Sequence, residues 1–152
     1  MGSVATRPRN RNRNHHAPGT PAPPGGADQA AARAVGAAAV GGVALIHFVD
    51  LFDMFKETPY VGVLHLGLIA GCLWAARRLV LVGDTPGWLV AGGLAAATIA
   101  AYTLSRTVGL PAATDDVGNW TEALGISSLF VEGALVLLSA EMVLKRRAAA
   151  QR

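Results

Sequence analysis

Hydrophobic and small residues dominate four long stretches of the chain, and short polar segments separate these stretches. An apolar run of about 20 residues is long enough to cross a bilayer as a helix. The pattern predicts four transmembrane helices, over about 31–55, 59–82, 87–108 and 119–144. Because the connections are short, we expect an all-α bundle whose helices run up, down, up and down.

Turn residues mark the predicted helix boundaries. Thr58-Pro59 separates the first two helices, since the residue before proline avoids the helical region and proline suits a helix start. Asp84-Thr85-Pro86-Gly87 ends the second helix and caps the third. Gly109-Leu110-Pro111 ends the third helix, and Asn119 with Glu122 predicts a variant capping box for the fourth.

Both chain ends are predicted to lie outside the helical domain of residues 31–147. Residues 1–30 are rich in Pro, Gly, Asn and Arg without apolar periodicity, which predicts a disordered tail. Residues 148–152 form a second, short tail. The first apolar run is interpreted as an uncleaved span rather than a signal peptide, because the leading segment is overlong and no small-residue cleavage site follows His47.

Composition supports a membrane protein, with lipid as its expected surroundings. The 152 residues are 52% hydrophobic and only 15% charged, which is too apolar for an ordinary soluble domain. The net charge is +3 and the basic residues lie at chain ends and turns, so nucleic-acid binding is not supported. The single cysteine, Cys72, excludes an intramolecular disulfide. A membrane-protein partner and a homo-oligomer are both compatible with the sequence.

Charge bias predicts the orientation. Of the 13 Lys and Arg residues, eleven lie in the N-terminal segment, the turn between helices 2 and 3, and the C-terminal segment. Positive charge favours the cytoplasmic side, so we expect both termini to be cytoplasmic. The opposite end of the bundle, with the turn after helix 1 and the loop after helix 3, should then face outward.

Ionisable residues interrupt the first apolar run. His47, Asp50, Asp53 and Glu57 are spaced three, three and four residues apart, which gathers them on one face of a helix. His65 follows on the next helix, so the hairpin brings two histidines together. Such residues are costly in a bilayer and are usually functional.

Depth along the helices predicts how these residues pair. Counting about 1.5 Å per residue from the outer helix ends places His47 roughly 12 Å deep and Glu132 about 16 Å deep. We therefore expect His47 against Glu132 at the bottom of a funnel, and Asp53 paired with Arg106 at its rim. The candidate metal or cofactor ligands are His47, Asp50, His65 and Glu132, and the supporting polar residues are Asp53, Tyr102, Arg106, Asp115 and Asp116.

Three functional hypotheses use these side chains. The N and O donors suit Zn, Fe or Mn, although no tight ligand motif is present. His47 and His65 are candidate axial ligands of a haem, which would need room between them. Alternatively, His47 and Glu132 handle protons or ions as buried titrating groups. A fourth interpretation is structural: the polar groups fix helix register in an accessory subunit of a membrane complex.

Other polar and aromatic residues have simpler interpretations. Ser127 and Ser128 are expected to be ordinary helix-contact residues. Trp74, Trp88 and Trp120 are expected to be anchors at the membrane interface.

One pattern carries a family resemblance. The segments Leu104-Ser105-Arg106-Thr107-Val108-Gly109-Leu110-Pro111, Asp115-Asp116-x-Gly118-Asn119-Trp120 and Leu129-Phe130-Val131-Glu132-Gly133, together with the His47 to His65 hairpin, resemble uncharacterised small four-helix integral membrane proteins of actinomycete-type bacteria. The resemblance implies the four-helix fold and a bacterial plasma membrane. It implies no activity and no catalytic residue.

Overall fold

The computed structural model describes residues 26–151, and these form four α-helices. The helices are α1 (Gly26–Glu57), α2 (Pro59–Leu81), α3 (Thr85–Thr107) and α4 (Ala123–Ala150). The predicted all-α four-helix fold is therefore confirmed for the described residues. The predicted tail lies mostly outside the described residues.

Three predicted boundaries are wrong. Residues 26–30, assigned to the tail, are the first turns of α1, where Asp28 lies close to the positive end of the helix dipole. Residues 148–150 extend α4 because alanine is a strong helix former. At its other end α4 starts at Ala123, and Asn119 does not cap it. The backbone N–H of Asn119 instead donates to the Asp116 carbonyl in a turn, and Glu122 is the N-cap, although its side chain makes no capping hydrogen bond to the helix.

The bundle consists of two helical hairpins packed side by side. Helices α1 and α2 form the first hairpin and α3 and α4 the second. Helix α1 packs against α4, and α2 packs against α3. This arrangement places side chains from α1 and α4 opposite each other in the centre of the bundle.

The interior of the bundle is built from small and medium side chains. Its core cluster includes Val40, Val43, Ala44, Cys72, Ala75, Leu79, Ala91, Ala95 and Leu135. Large apolar side chains face outward instead: Phe52 is 61% exposed and Phe130 is 80% exposed. Glu132 and Arg106, by contrast, are buried. Apolar residues outside and charged residues inside suit a helix bundle whose surroundings are lipid.

The turns predicted at Thr58 and Asp84 are both present. Thr58 alone connects α1 to α2, and Pro59 occupies the first turn of α2. Asp84 is the N-cap of α3, where its Oδ1 accepts a hydrogen bond from the backbone N–H of Gly87 at 3.1 Å. The Asp84 carboxylate also pairs with the guanidinium of Arg78.

Two glycines allow aromatic rings to approach a helix backbone. A side chain at Gly36 would lie 2.6 Å from the ring of Trp88, and one at Gly62 would lie 2.6 Å from the ring of Phe55. Trp88 is consequently completely buried between helices. The prediction that Trp88 is an interface anchor is wrong, because Gly36 leaves the space that its ring fills.

Candidate functional site

The deepest polar contact joins α1 to α4. Nε2 of His47 lies 3.9 Å from Oε1 of Glu132, as the depth argument predicted. Glu132 is 1% exposed, and its Oε1 accepts a hydrogen bond at 2.7 Å from the hydroxyl of Ser128, one turn earlier on α4. The same carboxyl oxygen of Glu132 thus contacts both His47 and Ser128.

A second contact of the same kind lies within the first hairpin. Nε2 of His65, on α2, lies 3.6 Å from Oδ2 of Asp50, on α1. The two imidazole rings lie side by side, with 5.0 Å between their centroids and 50° between their planes. The tight turn at Thr58 is what brings the histidines to the same level.

Backbone hydrogen bonds fix the tautomer of both rings. Nδ1 of His47 lies 3.0 Å from the carbonyl oxygen of Val43, and Nδ1 of His65 lies 3.0 Å from that of Val61. A carbonyl oxygen can only accept, so each Nδ1 carries a hydrogen. In each neutral ring the lone pair is therefore on Nε2, the atom that faces a carboxyl group.

Each histidine–carboxyl contact is an ion pair only when the imidazole carries a second proton. Without it, an unprotonated Nε2 and a carboxylate oxygen would face each other as two acceptors. One proton per pair removes that repulsion, whether it resides on the imidazole or on the carboxyl group. The two histidine–carboxyl pairs are in direct contact through their rings.

Exposure rises steadily along the four side chains. The side chains of Glu132, His47, His65 and Asp50 are 2%, 13%, 16% and 36% exposed, respectively. We call this series the His–carboxyl chain. It connects the buried centre of the bundle to the surface near the end that carries the Thr58 turn.

The geometry of the chain does not fit the two cofactor hypotheses. Among residues 26–151, no three His, Cys, Asp or Glu side chains converge in a way that could hold a metal ion. The imidazole rings lie too close together for a macrocycle to fit between them, and each Nε2 faces a carboxyl group. Axial haem ligation would need both Nε2 atoms directed at one iron.

Arg106 forms a second polar centre at the same end of the bundle. Its guanidinium pairs with Asp116 and with Glu122, each at 2.5 Å, and its side chain is 6% exposed. It also lies over the ring of Tyr102, 4.8 Å from the ring centroid. We call Arg106, Asp116, Glu122 and Tyr102 the Arg106 cluster.

The predicted rim pair of Asp53 and Arg106 is wrong. Asp53 is exposed and pairs with Lys56 of its own helix at 2.8 Å. Depth placed Asp53 and Arg106 at one level, but their positions around the helix axes point them to different partners. Tyr102 belongs to the Arg106 cluster rather than to the histidines, and Asp115 is exposed on the α3–α4 loop.

The α3–α4 loop is tied to both hairpins. The Gly118 N–H donates to the Arg106 carbonyl at 2.9 Å, and Gly118 has a φ of 83°, a left-handed conformation that glycine adopts readily. The Tyr60 hydroxyl, at the start of α2, donates to the Pro111 carbonyl at 2.8 Å. The loop is thus hydrogen-bonded to α2 and α3 at the end of the bundle that carries the His–carboxyl chain.

Ser128 is the site residue that the sequence interpretation missed. It was expected to be only a helix-contact residue, yet its hydroxyl is the hydrogen-bond donor to Glu132. The signal was its position four residues before a buried glutamate, because residues four apart on a helix are neighbours.

These observations define a class of protein. Four helices of residues 26–151 are long and apolar enough to cross a membrane, which indicates a multi-pass membrane protein with an internal His–carboxyl chain. No protein-family model, curated protein sequence or solved structure matches the chain.

Proposed function

We propose that this protein binds and transfers protons within the membrane through the His–carboxyl chain. The observation that carries the proposal is the geometry of two stacked imidazoles, each with Nδ1 bound to a carbonyl and Nε2 facing a carboxyl group. Histidine is suited to this role because its ordinary pKa lies near physiological pH.

The order of the groups supports transfer rather than storage alone. A proton on Asp50 reaches His65 across 3.6 Å, and a proton on His47 reaches Glu132 across 3.9 Å. Passage between the two pairs requires one of the adjacent rings to turn, because both Nδ1 atoms are bound to backbone carbonyls and both Nε2 atoms face carboxyl groups. Intramembrane carboxylates and histidines in such a series are typical of proton relays.

The proposal includes a location and an orientation. We place the protein in a bacterial plasma membrane with both termini cytoplasmic, supported by the family resemblance and by the eleven basic residues near the termini and the α2–α3 turn. Asp50 then lies toward the outer side, and the His–carboxyl chain takes up protons from there.

A structural role in a membrane complex is the second candidate. The observation that favours it is that the contact between His47 and Glu132 joins the two hairpins across the α1–α4 interface. In that role the same pair stabilises the bundle, and the protein moves no protons.

Proton flux into reconstituted vesicles distinguishes the two candidates. The purified full chain is inserted into vesicles containing a pH-sensitive dye. A membrane potential that is negative inside the vesicles is then imposed with a potassium gradient and valinomycin. We expect acidification that Glu132→Gln abolishes. The control Asp53→Asn should retain it, because Asp53 is exposed and lies outside the chain of contacts.

Two results would contradict the proposal. Wild-type vesicles that acidify no faster than empty vesicles would exclude proton transfer across the membrane. Full flux in Glu132→Gln would exclude the His–carboxyl chain as the path. If wild type shows no flux while His47→Ala and Glu132→Gln accumulate poorly, the structural role is the correct one.

A further inference from the structure

A groove of about 420 Å³ runs between α3 and α4 at the end of the bundle opposite the His–carboxyl chain. Gly92 and Gly93 of α3 form one wall, and Val143 of α4 contributes to the other. The groove is open along its length, so it faces the surroundings of the bundle rather than its interior. An extended hydrocarbon chain fits such an apolar surface.

Two hydrogen-bond donors in this groove lack acceptors. The indole Nε1 of Trp88 and the hydroxyl of Ser139 are buried without a partner among the described residues. Trp88 is fully buried and Ser139 is 3% exposed, and both line the groove. A buried donor without an acceptor is costly. Both atoms are closed off from the groove surface, so a ligand with acceptor oxygens would satisfy them only after the two side chains shift.

A positive charge lies at the mouth of the groove. Ser139, Val143 and Arg147 follow each other at intervals of four residues on α4, so they share one helix face. Arg147 is exposed and lies about 12 Å beyond Ser139 along the helix, toward its C-terminal end. Toward the C-terminal end of α4, the apolar surface with its two neutral donors is followed by a cation.

We propose that this groove binds one anionic glycerophospholipid. The phosphate pairs with Arg147, the ester carbonyls accept hydrogen bonds from Trp88 and Ser139, and an acyl chain lies along Gly92 and Gly93. A second copy of the chain fits less well, because the apolar face of a helix offers no acceptor to either donor. An apolar surface with neutral donors and a cation at one end matches the chemistry of the tail, ester and headgroup of a lipid.

Fluorescence quenching by brominated lipids tests the proposal. Trp74→Phe and Trp120→Phe leave Trp88 as the reporter, and because Trp88 is a groove residue, a brominated acyl chain in the groove lies beside its ring. The protein is reconstituted in vesicles that contain either brominated phosphatidylglycerol or brominated phosphatidylcholine. We expect quenching at about fivefold lower mole fraction with phosphatidylglycerol, the ratio expected from about 1 kcal/mol for one arginine at an anionic headgroup.

Two substitutions examine the parts of the site separately. Arg147→Gln should make the two lipids equally effective, whereas Arg77→Gln, an exposed arginine outside the groove, should leave the preference unchanged. Gly93→Leu should abolish quenching by filling the groove. Gly133→Leu is its matched control on α4, since both glycines have open space around the position of a side chain.

Each remaining outcome overturns the proposal. Equal quenching by the two lipids in the wild type would mean that the groove does not select an anionic headgroup. Absence of quenching by either lipid would mean that no acyl chain occupies the groove. If crosslinking then joined cysteines placed at position 140 in two chains, the occupant would be a second copy.

Discussion

Nε2 of His47 and Oε1 of Glu132 face each other across 3.9 Å, from helices that belong to different hairpins. Since His65 and Asp50 repeat this geometry on the neighbouring ring, the two pairs form one continuous series of polar side chains.

The energetic coupling of His47 and Glu132 is measurable with a double-mutant cycle. We expect His47→Gln and Glu132→Gln to show a coupling energy of about 1 to 3 kcal/mol, because the two side chains are in direct contact. Unfolding in mixed detergent micelles provides the free energies. His47→Gln combined with Asp53→Asn is the control, and its effects should add within about 0.5 kcal/mol. An additive His47 and Glu132 cycle would show that the pair does not interact.

The stability that the ion pairs of Arg106 contribute should be lost in full only when both acidic partners are replaced. Asp116→Asn or Glu122→Gln alone should cost up to about 1 kcal/mol, because each acid is partly exposed and the other still pairs with Arg106. The double substitution leaves a buried guanidinium unpaired, with an expected cost of about 3 kcal/mol or more. Arg106→Met should be less destabilising than this double substitution. The reverse order in unfolding experiments would contradict the argument.

Topology can be tested independently of function. In a Cys72→Ala background, single cysteines replace Val82, near the α2–α3 turn, and Asp115, in the α3–α4 loop, and both positions are exposed. A membrane-impermeant maleimide added outside intact cells should label only the cysteine at position 115. Labelling at position 82 alone would reverse the orientation and direct Asp50 toward the cytoplasm.

The Asp84 cap predicts a specific pH dependence. The hydrogen-bonded Arg78 guanidinium, followed by the Gly87 N–H, lowers the pKa of Asp84 below its ordinary value despite partial desolvation. A lowered folded-state pKa means that the cap stabilises the fold above pH of about 4 and loses this effect as the pH falls through the folded value. Asp84→Asn should therefore be less stable than wild type at neutral pH, with the difference shrinking in acid. A stability difference between the two proteins that stays constant down to a pH of about 2 would contradict a stabilising ion pair between Asp84 and Arg78.

Close packing at Gly62 predicts opposite effects for two similar substitutions. Gly62→Ala places a methyl group 2.6 Å from the Phe55 ring and should cost about 1 to 3 kcal/mol. Gly67→Ala, in open space on the same helix, should stabilise by up to about 1 kcal/mol through helix propensity. Equal thermal stability of the two variants would show that the ring and the glycine are not in contact.

The helical fold and the depth of the polar residues in the bundle can be predicted by counting residues along the sequence. Helix length and the Thr58-Pro59 turn were sufficient to predict the fold of the described residues and the contact of His47 with Glu132. Depth is predictable because each helical residue adds about 1.5 Å along the axis. Rotation about the axis is not fixed by depth, and this is why the expected Asp53–Arg106 pair was wrong.

The remaining errors arise from contacts between distant residues. The partners of Arg106 come from a loop whose course depends on left-handed residues such as Ala112 and Gly118, and on the Tyr60 contact with Pro111. The burial of Trp88 depends on Gly36, far away in the sequence. Neither relationship produces a local pattern of polar and apolar positions.

The single-residue connection at Thr58 has a mechanical consequence. With no slack between α1 and α2, these helices cannot slide past each other, so the spacing of the two imidazoles is constant while the hairpin stays intact. The longer loop from 108 to 122 imposes no such restriction on the second hairpin. Relative motion of the two hairpins would therefore separate His47 from Glu132 and leave His65 with Asp50, and in the proposed function this α1–α4 contact would be the point at which the proton path opens and closes.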